Sequence, residues 1–226
     1  MNTLDLFSLK GKTAIVAGGM GLLGQVVCET VRELGGVAVT IDTQVGATYL
    51  RDITNIGHVE YVAEMFSKVD IVVNCAIGNQ GPVSFPTSLW DKDIEIGLTG
   101  AANLMSVFYR HLRATKGVFL NIGSDLSLMA PDPDRYAPQF KPVSYSVVKH
   151  GIIGMTRYYA ALWGRDGIRV NCLCPGGIDQ GQAVPRCPLN RLAQPEEMKG
   201  AIALMVSSAS SYMTGAVVSV DGGSTV

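Results

Sequence analysis

The stretch Tyr145-Ser146-Val147-Val148-Lys149 sets a phenol and an ammonium four residues apart. On a helix that spacing turns about 400°, so both side chains stand on one face, one turn apart. An ammonium beside a phenol favours the phenolate and lowers its pKa, which suits proton exchange near neutral pH. A second chemical signal is the cluster Gly18-Gly19-Met20-Gly21-Leu22-Leu23-Gly24, where glycine recurs every third residue. Such a turn lets the chain reverse sharply, brings backbone against a pyrophosphate and packs the following helix tightly on its strand. The helix N-terminus then offers free N–H groups and partial positive charge to the phosphates. The third signal is Asp42, some 18 residues past Gly24 at the end of a strand pattern. A carboxylate there accepts from adenosine ribose hydroxyls and repels a 2′-phosphate, which predicts NAD(H) over NADP(H). No Arg or Lys follows Asp42 until Arg51, consistent with that preference.

The elements that must hold these groups alternate short apolar runs with longer helical patterns, the sign of β-α-β units around a parallel sheet. Lys12 to Ala17 reads as the first strand, and a helix follows from Leu22 to Leu34. Val37 to Ile41 is a second strand ending at Asp42, with a weaker one at Thr48 to Leu50 and a helix from His58 to Phe66. Ile71 to Asn74 is a buried strand, Gly78 to Pro86 a Gly/Pro-rich loop, and Trp90 to Thr115 one long helix. Val118 to Ile122 is the next strand; the Tyr145/Lys149 helix runs to Trp163, and Arg169 to Cys174 and Val217 to Val220 complete the sheet. No repeat or linker interrupts the series, so residues 1–226 are expected to form one doubly wound α/β domain of the Rossmann type, helices on both faces.

Composition narrows the function. With 226 residues, 47% apolar and 16% charged, the chain can bury a sizeable core. Net charge is −1 and Lys and Arg are dispersed, so no nucleic-acid footprint is expected. The start Met1-Asn2-Thr3-Leu4-Asp5 lacks a basic, apolar leader, and no run is long enough to span a bilayer. A cytoplasmic protein is the expectation, and five cysteines fit buried reduced thiols. Cys172 and Cys174 share one strand face, but His58, His111 and His150 are scattered, and no metal site is expected.

These motifs, taken with others in fixed order, make the chain resemble the short-chain dehydrogenase/reductase family over nearly its whole length. The matching pieces are Gly18/Gly21/Gly24, Asp52-Ile53, Asn74-Cys75-Ala76, Asn121-Ile122-Gly123-Ser124, Tyr145 with Lys149, and Arg169-Val170-Asn171 leading to Pro175-Gly176-Gly177. Tyr212-Met213-Thr214-Gly215 and Val220-Asp221-Gly222-Gly223 close the series. The resemblance implies Tyr145 as general acid/base, Lys149 lowering its pKa and holding the nicotinamide ribose, and Ser124 hydrogen-bonded to the substrate oxygen. It implies cofactor contacts from Gly18, Gly21, Leu22, Leu23, Asp42, Asp52, Ile53, Asn74, Ala76, Tyr145, Lys149, Pro175, Gly176 and Ile178. It also implies a homodimer or homotetramer, with Gly151 and Gly154 allowing close packing of the Tyr145 helix against its symmetry mate. Tyr136 competes for the acid role, but Phe140 stands four residues beyond it and Pro138 opposes a helix.

Departures from the family pattern matter as much. Ala17 stands where Thr is usual and Cys75 where Asn is usual. Gly97 replaces the Asn that completes a proton relay from the lysine, leaving a backbone gap for a water or an impaired relay. Asn103 is six residues on, about 240° out of phase, and reads as a structural polar residue. Between Ser124 and Tyr145 lies a long segment rich in proline, with Asp132, Asp134, Arg135, Gln139 and Lys141. It suits a pocket wall for a polar, polyhydroxylated ligand. With Thr156-Arg157-Tyr158 and Pro188-Leu189-Asn190-Arg191 it is similar to oxidoreductases of bacterial surface-sugar pathways such as legionaminic acid. The segment Ile178 to Asn190, which in the family closes over substrate, is short, so an open pocket is expected. The expected function is NAD(H)-dependent interconversion of a secondary alcohol and a ketone, possibly on a sugar derivative. The alternatives are a catalytically impaired dinucleotide-binding or scaffolding homologue and a 3-oxoacyl-carrier-protein-type reductase.

Overall fold

The computed structural model describes residues 2–78, 81–85, 87–181 and 187–226. Its seven strands are β1 (Thr13–Ala17), β2 (Val37–Asp42), β3 (Tyr49–Leu50), β4 (Ile71–Asn74), β5 (Val118–Ile122), β6 (Arg169–Pro175) and β7 (Val217–Val220). All pair in parallel, in the order β3-β2-β1-β4-β5-β6-β7. β4 (IVVN) and β5 (VFLNI) are buried at every position, as a strand covered on both faces must be. Alternation assigns the faces: Ile15, Ala17 and Val72 face one core, while Ala14, Val16, Ile71 and Val73 face the other.

Helices α2 (Ile56–Glu64), α4 (Gly100–Thr115) and α5 (Val143–Trp163) cover the first face through residues such as Val62, Phe108 and Trp163. Helices α1 (Leu22–Glu33) and α6 (Lys199–Val206) cover the second through Val27, Val31, Ile202 and Met205. The single doubly wound α/β sheet expected from the sequence is therefore present. Strand order reverses between β1 and β4, and a ligand crevice opens at the carboxyl ends of strands at such a switch point.

One expected element differs. The helix anticipated from Trp90 to Thr115 is divided into α3 (Trp90–Ile94), a π-helical turn (Glu95–Thr99) and α4. The Gly100 N–H reaches back five residues to the Glu95 carbonyl, which widens the turn around buried Gly97. On α5, Trp163 is buried and Tyr159 and Met155 pack on the core, whereas Tyr158 and Leu162 are exposed. Gly151 lies against Leu98 of its own chain, and a side chain at Gly154 would meet open space.

Candidate active site

The crevice at the switch point is a cleft of about 1120 Å³. At one end sits the glycine turn. Gly18 has φ +71°, and a Cβ there would lie 2.7 Å from the Ala76 backbone nitrogen, so the chain leaving β1 touches the chain leaving β4 only because Gly18 has no side chain. Gly24 is pressed onto the Gly18 carbonyl in the same way. No side chain caps α1 at Gly21, which leaves first-turn N–H groups available to an anion. Asp42 ends β2 with both carboxylate oxygens engaged, one accepting from Met20 N–H at 2.9 Å and the other from Gln44 N–H at 3.1 Å. Each oxygen retains acceptor capacity for a ribose hydroxyl.

Asp52 and Ile53 also line the cleft. Asp52 accepts from Thr54 N–H at 2.9 Å, and Asn103 donates to the Ile53 and Thr54 carbonyls at 2.9 and 3.0 Å. Asn103 thus fastens the wall, a structural role as expected. On the far side Pro175, Gly176 and Ile178 line the cleft, with Gly176 N–H bonded to the Val220 carbonyl at 3.0 Å. Residues 182–186 of the segment expected to cover substrate lie outside the described residues.

Asn74 is the exception among the expected cofactor residues. It does not line the cleft; its amide donates to Asn121 at 3.3 Å and its carbonyl oxygen accepts from Ala76 N–H at 3.2 Å. Asn121 in turn donates to Thr156 at 3.0 Å, and Thr156 to the Ile152 carbonyl at 2.8 Å. This satisfied chain ties β4 and β5 to α5 and so positions the helix carrying Tyr145 and Lys149.

Tyr145, Lys149 and Ser124 all line the other end of the cleft. The Lys149 ammonium donates to the Ile122 carbonyl at 2.7 Å and lies 5.7 Å from the Tyr145 ring centroid. The electrostatics depart from expectation. Burial pushes the Tyr145 phenol up to about 12; the Ser124 hydroxyl works against this, and the Asp125 carboxylate adds to it. Burial brings the Lys149 ammonium down to about 8. The lysine was expected to draw the phenol downward, but loss of solvent governs the shift, and the lowering that opposes it comes from Ser124.

Two features escaped the sequence reading. Ser124 is buried and donates its hydroxyl to Asp125 at 2.8 Å while accepting from Leu126 N–H at 3.2 Å. A hydroxyl has one proton, so Ser124 must turn from Asp125 to donate to a substrate oxygen. The gap expected at Gly97 is filled: a Cβ there would overlap Val148 Cγ1 and come within 2.9 Å of Cγ2. Val148, the residue before Lys149, occupies the space in which a water was expected. Tyr136, weighed against Tyr145 for the acid role, and Lys141, from the segment expected as a pocket wall, line the cleft beside Tyr145. Adjacency to Ser124 was the one available signal for Asp125; nothing local signalled the contact between Gly97 and Val148.

A dinucleotide crevice at the switch point of a doubly wound sheet, with a tyrosine and lysine one helical turn apart at its far end, defines a class of nicotinamide-type site. The family model described as enoyl-(acyl carrier protein) reductase matches residues 24–225. The chain belongs to the short-chain dehydrogenase/reductase family. It is 29% identical to a cis-4-hydroxycyclohexanecarboxylate dehydrogenase of Sinomonas cyclohexanicum, over 95% of this chain and 96% of that one. It is 32% identical to an NADP-dependent mannitol dehydrogenase of Hypocrea jecorina, over 98% and 95% of the two chains. Among solved structures, a short-chain dehydrogenase of Leptospira borgpetersenii with bound NAD+ superposes with a TM-score of 0.88 at 28% identity, over 100% of this chain and 96% of that one. None of these three names points to the surface-sugar subgroup, and that placement is not kept. Among the described residues no helix is long and apolar enough to cross a membrane.

Proposed function

We propose that this protein interconverts a secondary alcohol and a ketone using NAD(H), with Tyr145 as the general acid/base. The observation that carries the reading is a single cleft lined by Gly18 and Asp42 at one end and by Ser124, Tyr145 and Lys149 at the other. The uncapped start of α1 and the glycine cradle suit a pyrophosphate, and Asp42 suits an unphosphorylated ribose. The nicotinamide supplies or accepts the hydride when bound.

The chain's own groups handle the proton. In reduction, the Tyr145 hydroxyl gives its proton to the oxygen that the hydride leaves negative; in oxidation, the phenolate takes it from the alcohol. A phenol held near 12 is protonated at neutral pH and ready to donate, so oxidation should strengthen as pH rises. Lys149 anchors this end through Ile122 and offers its ammonium to the ribose. Ser124, released from Asp125, would hold the reacting oxygen. Polyol and hydroxy-acid names among the relatives support a polar alcohol as substrate. We place the protein in the cytoplasm, as an assembly through the exposed Tyr158 and Leu162 face of α5.

A second reading has its own observation. Val148 fills the space beside Gly97 that a relay side chain would need, and a cofactor-binding homologue with feeble turnover is the reading this supports. One screen separates the two: polyols, sugars, hydroxy acids and ketoacyl thioesters with NAD(H) and NADP(H), comparing wild type with Tyr145→Phe. Turnover abolished by the substitution, with NADH binding retained, supports the enzyme. Cofactor binding without turnover on any substrate supports the second reading.

A further inference from the structure

Tyr145 is the third residue of α5, in the part of a helix that holds itself least. First-turn N–H groups have no partners within a helix, and no side chain caps this one at Pro142. Lys149, one turn further in, is fastened by its bond to the Ile122 carbonyl. Of the serines on either side of Tyr145, Ser146 has a buried hydroxyl with no hydrogen-bond partner among the described residues. Ser144 is bonded. It is fully buried, and its hydroxyl donates to the Asp93 carboxylate of α3 at 2.5 Å, across 51 positions of the chain.

Asp93 is itself 3% exposed, behind the stretch of cleft wall that Lys92 and Ile96 form on its own segment. Room for its carboxylate comes from the loop after β4: a Cβ at Gly78, which also lines the cleft, would overlap Asp93 Oδ1. Four residues on along both segments Gly97 meets Val148, and beyond it Leu98 lies against Gly151. Packing of this kind limits how closely two segments approach, whereas a hydrogen bond to a carboxylate also sets direction. The middle of α5 is tied to the sheet through Thr156 and Asn121, and Asp93 supplies a matching tie at the end that carries the phenol.

We infer that Asp93 is a positioning residue: through Ser144 it fixes the first turn of α5, and with it the place of the Tyr145 hydroxyl in the cleft. The inference deepens, and rests on, the oxidoreductase reading. Asp93 does not line the cleft and takes no part in the hydride or proton steps.

The test compares Asp93→Ala, Asp93→Asn and Ser144→Ala with wild type in the full chain. Mannitol and cis-4-hydroxycyclohexanecarboxylate with NAD+ give kcat and KM. Ultraviolet difference absorbance against the same protein carrying Tyr145→Phe gives the titration of the phenol without turnover. Asp93→Ala is expected to lower kcat at least about tenfold with NADH affinity nearly unchanged, since a reacting group misplaced by about 1 Å can cost about 100-fold. The loosened phenol should gain water and titrate at lower pH than in wild type. Asp93→Asn removes the charge but keeps an acceptor for Ser144, and should retain most of kcat and the wild-type titration. Ser144→Ala should reproduce the loss seen in Asp93→Ala, and the two together should cost no more than either alone. A fall in thermal stability with kcat and phenol titration both unchanged in Asp93→Ala would overturn the inference and leave Asp93 a contact of the fold only. Should Asp93→Ala give no folded protein, Ser144→Ala decides by the same readouts. If wild type turns over neither probe, that counts against the oxidoreductase reading, and the phenol titration by itself decides the role of Asp93.

Discussion

Replacing Gly97 by alanine inserts a methyl into space that Val148 already holds, with the new carbon overlapping Cγ1 and only 2.9 Å from Cγ2. Both neighbours are constrained: Gly97 sits in a buried π-helical turn, and Val148 is 3% exposed on α5. Over-packing of a well-filled core costs roughly 1–3 kcal/mol, and with the obstruction on a packed β-branched side chain we expect about 2 kcal/mol. For a domain of this size that lowers Tm by roughly 4–8 °C. Val148→Ala alone removes two methyl groups and should cost about 2 kcal/mol through lost burial and a small cavity. In the double variant the alanine at 97 enters the cavity left at 148, so the costs should not add. The expected coupling is about 1–2 kcal/mol in favour of the double variant. Urea and thermal unfolding at one fixed protein concentration measure it, with kcat followed in parallel. Additivity within about 0.5 kcal/mol would refute the claim that Val148 fills the site beside Gly97.

Three further outcomes are expected. Lys149, depressed to about 8 from the ordinary lysine value of 10.5, favours folding fully above the unfolded value and loses that contribution as pH falls through about 8. Stability of wild type relative to Lys149→Met should therefore rise between pH 8 and 10, by up to about 1.4 kcal/mol per unit, and a flat difference would contradict the burial argument. Tyr145, raised to about 12, loses its contribution only above pH 10 and leaves that window clear. Asp42→Ser should raise the ratio of NADP(H) to NAD(H) efficiency at least about tenfold and cost about 1–2 kcal/mol through the lost Met20 and Gln44 bonds; an unchanged ratio would remove Asp42 from cofactor choice. Asp125→Asn removes a negative charge that disfavours the Tyr145 phenolate. The pH at half-maximal oxidation rate should move down, and a shift upward would show that Asp125 assists the phenolate by another route.

Much of the scaffold is legible from residue order because its causes are local. Continuous apolar runs such as Ile71–Asn74 and Val118–Ile122 mark strands covered on both faces, and helical phase alone puts Tyr145 and Lys149 on one side of α5. The same phase argument keeps Asn103 away from position 97, and its bonds to Ile53 and Thr54 agree. Turn sterics explain the glycines: Gly18 and Gly24 stand where any Cβ would strike backbone.

What the linear order left undecided concerns which distant side chains meet and how much solvent they lose. Helical periodicity extended one helix from Trp90 to Thr115, but the contact with Val148, some fifty residues later, accompanies a π turn at Gly97. Asn74, named from sequence for its place after a strand, donates to Asn121, a partner on the next strand that residue order does not reveal. The Tyr145–Lys149 spacing implied a lowered phenol pKa, whereas burial by surrounding elements raises it. Lys141 stands over the face of Tyr145, and Val83 and Phe140 pair across separate loops beside it. Period, turn and phase depend on a few consecutive residues and can be read in order. Desolvation, steric filling and charge proximity are sums over atoms brought together from across the chain, and they exist only once it has folded.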